Sequence, residues 1–263
     1  MPVSVDMELV RMSQEEFGTV AYRVMREVFA LHAELGRLFD ERVYQHALAA
    51  RIGDLRREVR IDVCFRDFRK QYFMDAVVAD GAVFELKSVD ALAPCHRNQL
   101  LNYLLLCGLE HGKLVNFRAE RVQHEFVNTS LSLADRRDFH VDDAEWCPTD
   151  GFGDSEKTLL VELLRDWGTG LERPLYEEAL IHLFGGKEQL IKEVDIVFDE
   201  NSIARQTVAL CAAKTAIRVT AFEDDGSGFA QHLTRFLNAT QMEAIQWINI
   251  ARNQLTLKTH FSA

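Results

Sequence analysis

The sequence is short of positive charge. Its 30 lysines and arginines stand against 41 aspartates and glutamates, which gives a formal net charge of -11. Affinity for phosphates depends on Lys and Arg displacing counterions. The balance therefore argues against a broad polyanion binder, and any nucleic-acid site has to be a local basic patch. The best candidate is the segment from Arg51 to Lys70, in which basic residues outnumber acidic ones.

Paired cysteines and long apolar runs are also missing. The five cysteines form no CxxC pair and no zinc-like spacing, which argues for core thiols and against a disulfide framework. The first residues, MPVSVDMELVRMSQEEF, place acids where a signal peptide needs an uninterrupted apolar run. No stretch approaches the length of a membrane span. We therefore expect a cytoplasmic protein.

What the sequence does contain is an internal repeat. The segment LGRLFDERVYQHAL (35–48) matches WGTGLERPLYEEAL (167–180), and IDVCF (61–65) matches VDIVF (194–198). Further along, 99–105 matches 232–238 and 114–122 matches 247–255. Several matches in the same order predict a duplicated domain. We expect a first copy over 1–135, a polar linker over 136–155 and a second copy over 156–263, packed together as a pseudo-dimer.

Each copy has the same predicted order of elements. Apolar residues at helical spacing, from Phe17 to Leu31, predict a first helix, and a second helix follows over 39–51. Alternating residues predict a strand over 59–65 and a hairpin over 72–89. An apolar helix over 97–110 and two short strands complete the copy. Strands flanked by helices predict an α/β sandwich around a mixed sheet.

The hairpin carries the chemistry. Its sequence, YFMDAVVADGAVFELKS (72–88), has Asp75 before the turn and Glu85 and Lys87 after it. If the three side chains meet, the carboxylates suit a hard ion such as Mg²⁺. Such an ion polarises a phosphodiester and acidifies a bound water, and the lysine stabilises charge on the phosphate or orients the water. A pair of salt-bridged strand residues is the alternative interpretation.

The predicted register opposes that meeting. Asp80-Gly81 suits the positive backbone angles of a two-residue turn, which would pair Ala79 with Ala82. Asp75 would then lie opposite Leu86, on the face away from Glu85 and Lys87. We therefore expect a bulge or a bend in this hairpin if the site exists.

Taken together, HAELGRLFDERVY, the hairpin, LAPCHRNQLLNYL and KLVNF resemble the GxxExxY group of the PD-(D/E)XK nuclease-like superfamily. The resemblance covers residues 17 to 128 and implies a restriction-endonuclease-like fold. The glycine that names the motif is Leu38 here, although Gly36 is present.

The resemblance implies a set of site residues. The catalytic set is Glu41, Asp75, Glu85, Lys87 and Gln99, with Glu41, Asp75 and Glu85 as ligands of Mg²⁺ or Mn²⁺. Tyr44, His96 and Tyr103 are possible secondary members. Taken singly, each has an alternative interpretation as a helix-surface, capping or bridging residue.

The second copy has lost this set. At the equivalent positions stand Arg173 for Glu41, Thr207 or Val208 for Asp75, Arg218 for Glu85, Thr220 for Lys87 and His232 for Gln99. We therefore predict one metal-dependent nuclease centre, in the first copy, which makes single-strand cuts or nicks in place of paired cuts. Alternatives are a nucleic-acid- or protein-binding scaffold that keeps the fold without turnover, and an acidic interaction module in the second copy.

Overall fold

Two mixed β-sheets organise the chain, which a computed structural model describes over residues 3–223 and 227–262. The chain divides into unit 1 (Met1–Leu133) and unit 2 (Ala134–Ala263), and each unit contains one six-stranded sheet. Helices accompany both sheets, so the predicted α/β class with mixed sheets is confirmed.

Unit 1 follows the predicted order closely. Its elements are β1 (Val3–Val5), α1 (Gln14–Leu35), α2 (Glu41–Arg51), β2 (Leu55–Phe65), β3 (Phe68–Val78), β4 (Ala82–Lys87), α3 (Pro94–Cys107), β5 (His111–Asn116) and β6 (Gln123–Asn128). The sheet runs β1-β2-β3-β4-β5-β6, and only the β4/β5 pair is parallel. A parallel pair needs a crossover, and α3 provides it.

Helix α1 begins where its sequence supplies a cap. The Glu16 amide donates to Ser13 Oγ at 3.3 Å, and the Ser13 amide donates to Glu16 Oε2 at 2.8 Å. This reciprocal pair satisfies donors that the first turn of a helix would leave unpaired. Phe17, Val24 and Leu31 follow at helical spacing and are buried against β4 residues such as Phe84 and Leu86. The core of unit 1 therefore covers one face of β4 and leaves its other face to Glu85 and Lys87.

Unit 2 repeats this order. Its elements are α4 (Leu133–Arg137), β7 (His140–Glu145), α5 (Asp154–Trp167), α6 (Arg173–Leu183), α7 (Lys187–Leu190), β8 (Ile191–Phe198), β9 (Asn201–Ala212), β10 (Thr215–Thr220), α8 (Ser227–Thr240), β11 (Ala244–Ile250) and β12 (Gln254–Phe261). Strands β8 to β12 pair as β2 to β6 do, with one parallel crossover pair, β10/β11. The two units thus share a core topology of two helices, three strands, one helix and two strands.

The shared topology extends to single contacts. The side chain of Asn116 bonds the backbone N and O of Val89, at 3.0 and 2.7 Å. Asn249 bonds the N and O of Phe222 in the same way, at 2.8 and 3.0 Å. Each asparagine lies opposite the last residue of the preceding parallel strand, Lys87 or Thr220. The repeated sequence matches therefore coincide with repeated structural contacts.

The outermost strands differ from the expectation and from each other. Residues 136–155, expected as a polar linker, contain β7, which pairs in parallel with β12. In unit 1 the additional strand is β1, which pairs with β2 at the opposite end of the strand order. Both strands are short, and β7 is rich in acids and mostly exposed, so their sequences resemble loops. Pairing with a distant edge strand is what makes them strands.

All five cysteines are free thiols, as the sequence predicts. None of the helices within residues 3–223 and 227–262 combines the length and the apolar character that a membrane span requires. The cytoplasmic location stays a prediction.

Candidate active site

The register of the β3–β4 hairpin differs from the prediction by one residue. Val78 pairs with Ala82 and Ala76 pairs with Phe84, so three residues form the loop instead of two. In the same register, the next residue pair after Ala76 and Phe84 is Asp75 and Glu85. A one-residue change of register moves a side chain to the other face of the sheet. The predicted bulge is therefore unnecessary, and the hairpin itself brings the two carboxylates to one face.

Gly81 ends the three-residue loop and lies close to the segment before α1. The positive φ angles belong to Ala79 (50°) and Asp80 (56°), and the Gly81 amide donates to Val78 O at 3.2 Å. The prediction that Asp80-Gly81 holds the positive angles is thus wrong by one position. Gly81 is needed for a close approach, because a Cβ there would lie 2.1 Å from Val10 O. The segment before α1 docks on this turn through a Val10 N–H to Asp80 O bond of 2.8 Å.

Lys87 lies at the centre of three carboxylates. Its Nζ is 2.5 Å from Glu85 Oε1, 3.9 Å from Asp75 Oδ2 and 4.0 Å from Glu41 Oε2. Glu41 reaches this point as the first residue of α2, while Asp75, Glu85 and Lys87 come from the hairpin. Four of the five predicted catalytic residues therefore meet in one cluster, with three carboxyl groups around one ammonium group.

Asp75 is held in place by neighbours on both sides. Its Oδ2 accepts the Leu86 amide at 2.7 Å, and its Oδ1 accepts Gln45 Nε2 at 3.2 Å. The first bond occupies the place of a ladder hydrogen bond between β3 and β4. Asp75 and Gln45 are both buried, so this orientation is fixed within the protein and not by solvent.

Burial and, for Glu85 and Glu41, repulsion from Asp75 raise the pKa values of the three acids. Burial first, and then the Asp75 carboxylate, raise the pKa of Glu85 to about 8. The same two causes raise the pKa of Glu41 to about 7. Burial also raises the pKa of Asp75, although Lys87 and the Leu86 amide oppose the change. The cluster thus carries more carboxyl groups than one lysine can balance.

The pKa of Lys87 is raised too, but by the neighbouring carboxylates and against the effect of burial. Burial by itself would lower the pKa of its ammonium group, but the Glu85, Asp75 and Glu41 carboxylates outweigh burial and raise that pKa overall. Lys87 is therefore a cation at neutral pH. In this state it stabilises negative charge and does not accept a proton.

The carboxylates fit a divalent cation. Glu85 has 0% exposure, and its buried Oε2 accepts no hydrogen bond from any residue that the structure describes. A buried oxygen without a donor is costly unless something else compensates it. Within the described residues no three His, Cys, Asp or Glu side chains are gathered closely enough to hold an ion by themselves. Mg²⁺ commonly binds through one or two carboxylates and retains waters, which matches the Asp75–Glu85 pair.

The residues predicted on α3 have contacts within α3, at its start and with β3. Gln99 Nε2 donates to Tyr103 Oη at 2.9 Å, the one-turn pairing that their spacing predicts. Tyr103 is buried and meets Tyr72 edge-on at 5.9 Å. His96 Nδ1 accepts the Ala93 amide at 3.0 Å and so caps the start of α3. The predicted roles of these three residues stay predictions.

Tyr44 has a structural contact instead of a place among the acids. Its hydroxyl donates to Gly36 O at 2.7 Å, and its ring stacks on Phe117 at 4.2 Å. In unit 2 the Tyr176 hydroxyl donates to Gly168 O at 2.6 Å in the same way. Because unit 2 has Val208 and Arg218 at the positions of Asp75 and Glu85, a contact shared by both units indicates a role in holding the two helices together.

Two residues near the cluster, Gln45 and Glu58, are not among those that the sequence predicts. Gln45 follows Glu41 by one helical turn, and that spacing would have placed both on one face of α2. Glu58 lies on β2 with a φ of 53°, and its charge contributes to raising the pKa of both Asp75 and Glu41. A strand residue with a left-handed φ leaves no signal in the sequence.

The predicted basic patch is partly neutralised. Arg51 pairs with Glu34 at 2.5 Å, Arg56 with Asp80 at 3.6 Å and Arg60 with Asp62 at 3.0 Å. The basic residues near the β2–β3 turn have contacts of their own. Arg66 lies over the Phe65 ring, Arg69 bonds backbone carbonyls, and Lys70 lies over Tyr72.

The site of unit 2 is equivalent in position and different in charge. Arg218 lies opposite Trp247 in β11 as Glu85 lies opposite Leu114 in β5. Ala216 pairs with Leu210 where Val83 pairs with Val77, so the residue equivalent to Asp75 is Val208, which is buried. Unit 2 therefore has no carboxylate at the hairpin positions that supply Asp75 and Glu85.

Comparison with known families supports the superfamily predicted for unit 1. Residues 18–128 match the model of the PD-(D/E)XK nuclease superfamily. This range contains all the predicted site residues. The narrower GxxExxY group stays a prediction.

Other comparisons are more distant. No curated protein matches the chain significantly. Among solved structures, the one titled "Crystal structure of SSO0001" is 20% identical, with a TM-score of 0.29, and the match covers 44% of this chain. The match spans 62% of the length of that protein.

Proposed function

We propose that unit 1 is a metal-dependent nuclease that hydrolyses phosphodiester bonds at the hairpin site. The observation that carries the proposal is Glu85, fully buried beside Asp75 and Lys87 with one oxygen left without a donor. Burial of an acid that lacks a hydrogen-bond partner destabilises the folded state, so its presence here favours a functional role. The superfamily match of the same residues supports nucleic acid as the substrate.

In this proposal the residues of the cluster have distinct roles. Asp75 and Glu85 would hold Mg²⁺ or Mn²⁺, with Glu41 as a third acid at the edge of the site. When bound, the ion polarises the phosphodiester and acidifies a water. Gln45 and the Leu86 amide orient Asp75. Lys87, which is protonated, stabilises the charge that develops on the phosphate.

Metal binding by calorimetry is the first test. We expect Mg²⁺ and Mn²⁺ to give binding heat with the wild type and none with Asp75→Ala or Glu85→Ala. Binding also requires protons to leave Glu85 and Glu41, so the apparent affinity should rise between about pH 6 and pH 8. Asp62→Ala is the matched control, because Asp62 pairs with Arg60 on the surface of the same sheet.

The result separates the candidate functions. Heat that disappears only in the two site variants supports the metal centre. Equal heats in the wild type and in Glu85→Ala would remove Glu85 from the metal site. A wild type that binds neither ion, with or without a nucleic acid present, would contradict metal-dependent cleavage.

We also infer that the two units derive from one duplicated domain and that only the first retained an active centre. The inference rests on the shared strand order, the repeated Tyr–Gly and Asn–backbone contacts, and the exchange of each hairpin acid for another residue. A single centre implies single-strand cuts or nicks in place of paired cuts, as the sequence predicts.

A scaffold without turnover is the second candidate. The short Lys87–Glu85 pair favours it, because a lysine that neutralises a buried acid also stabilises a fold that has no metal. The calorimetric comparison decides between the two functions.

A further inference from the structure

Unit 2 contains a cavity of about 540 Å³ with basic and aromatic walls. Its charged and ionisable walls are Arg173, Arg218 and His232, and its aromatic walls are Phe222, Phe229 and Phe236. No carboxylate is found among the described residues that line it. Cavities of about 300 to 1,000 Å³ are typical of sites for small organic ligands.

The cavity lies where unit 1 has its acid cluster. Arg218 stands at the position of Glu85, and Arg173 begins α6 as Glu41 begins α2. Two acids of one unit are thus replaced by two arginines in the other. A site that suits a cation in unit 1 therefore suits an anion in unit 2.

Arg218 is the principal anion-binding candidate. It forms no ion pair with any carboxylate in residues 3–223 and 227–262, and its guanidinium lies 5.6 Å from the centre of the Phe236 ring. Arginine remains charged at all physiological pH values and binds phosphate through two parallel hydrogen bonds. Since the side chain is only half-buried, a ligand that enters the cavity can reach it.

Arg173 contributes less. It is paired with Glu177 one turn along α6, so part of its charge is already compensated. Glu177 does not line the main cavity, but it borders a neighbouring one of about 150 Å³ that Arg218 also borders. His232 is exposed at the wall formed by α8.

The aromatic wall is held in place. Phe222 and Phe229 meet edge to face at 5.1 Å, and Phe229 lies 5.6 Å from Trp247. Both backbone groups of Phe222 are bonded by Asn249, whose side-chain oxygen also accepts the hydroxyl of Thr220 at 2.7 Å. Fixed aromatic faces beside an arginine are the arrangement on which nucleic-acid bases stack.

We propose that this cavity binds a nucleotide, with its phosphate at Arg218 and its base against the phenylalanine wall. A free mononucleotide and one nucleotide of a single strand present the same chemistry. The proposal is independent of cleavage by unit 1, because the two sites share no residue.

The test is fluorescence anisotropy of the full chain with a labelled oligothymidylate, in EDTA so that metal-dependent cleavage does not interfere. We expect Arg218→Ala to weaken binding at least about tenfold and to reduce the salt dependence by about one counterion. Phe229→Leu should weaken binding about threefold or more, as loss of a stacking ring does. The matched control is Arg205→Ala, an exposed arginine of the same unit that pairs with Glu193 and Asp195.

Competition identifies the source of the nucleotide. Displacement of the probe by thymidine monophosphate indicates a free nucleotide, and displacement by unlabelled oligonucleotide alone indicates a strand. Arg218→Lys and Phe236→Leu provide the same comparison if Arg218→Ala does not fold. A wild type that binds no probe, or equal losses in the Arg218 and Arg205 variants, overturns the proposal. Binding that survives Arg218→Ala and disappears in Lys87→Ala also overturns it, and leaves the proposed function of unit 1 intact.

Discussion

At the scale of single residues, the acid cluster contains more carboxyl groups than its one ammonium group can neutralise. Glu85, Asp75 and Glu41 surround one ammonium group, and burial adds to their repulsion. Such conflicts are concentrated at functional sites, because a ligand or a reaction supplies the missing charge. The stability of the metal-free protein should therefore report on Glu85.

Glu85→Gln should stabilise the metal-free protein at alkaline pH. The pKa of Glu85 is about 8 in the folded chain and its ordinary value is 4.5, so between these values the folded state retains a proton that the unfolded state has released. This contribution to stability is complete below pH 4.5 and is lost as the pH rises towards 8. Glutamine is neutral at every pH and has no such loss.

Urea denaturation in EDTA at pH 5, 6.5 and 8 measures the effect. Since one pKa unit corresponds to about 1.4 kcal/mol, we expect Glu85→Gln to exceed the wild type by at least about 1 kcal/mol at pH 8. Glu125→Gln, at an exposed pair with Arg97, is the control. If the wild type instead becomes more stable relative to Glu85→Gln as the pH rises, the raised pKa of Glu85 is contradicted.

Tyr44→Phe tests whether this tyrosine is structural. Removal of the hydroxyl leaves the Gly36 carbonyl without its donor, which should lower the free energy of unfolding by about 1 kcal/mol. Tyr176→Phe should cost more, because that hydroxyl also accepts the Leu171 amide at 3.2 Å. Binding heat for Mg²⁺ should be unchanged in Tyr44→Phe. A folded Tyr44→Phe protein that no longer binds the ion would place the hydroxyl in the metal site.

At the scale of elements, local pattern determines most of the structure. Helix α1 follows from its cap and apolar spacing, and α3 and β5 from their apolar runs. The register of the β3–β4 hairpin could not be predicted in this way. Asp75 faces Glu85 because the loop has three residues, and the turn also packs against Val10, from a segment far away in the sequence.

Gly81→Ala should disturb this hairpin directly. The new Cβ would lie 2.1 Å from Val10 O, and because that neighbour is backbone, the segment or the turn has to move. We expect a loss of about 1 to 3 kcal/mol in the free energy of unfolding, the usual cost of overpacking, together with weaker Mg²⁺ binding. In the control, Gly53→Ala, the Cβ meets nothing within 4 Å, and equal effects of the two changes would contradict the close approach.

At the scale of the whole molecule, the sequence repeat predicts two copies of one domain, and the chain divides into two units whose core strands follow the same order. Descent of the two units from one duplicated domain stays our inference. The edge strands β1 and β7 could not be predicted, because short strands gain their structure from partners that are distant in sequence. The cavity of unit 2 was likewise missed. The sequence identifies its two arginines only as replacements of acids. That they line the same cavity is visible only in three dimensions.

The single centre that we propose for unit 1 predicts how a duplex DNA substrate would be cleaved. With Mg²⁺, supercoiled plasmid should be converted to nicked circles first, and linear DNA should accumulate only after many independent nicks. Agarose gels of a time course distinguish the products, and Glu85→Ala should abolish the conversion. Linear DNA that forms at the start, without a nicked precursor, would contradict a single centre.

The edge strands also bear on how the chain assembles. Two halves with the same strand order in one polypeptide risk exchanging hairpins as they fold, a recognised failure of repeat proteins. Strand β1 pairs with β2, whereas β7 pairs with β12 at the other end of the order. If β8–β9 took the place of β2–β3, β1 would lose its partner, and if β5–β6 replaced β11–β12, β7 would lose its own. Either exchange would break one of these two edge pairings, which the correct partition of the chain keeps.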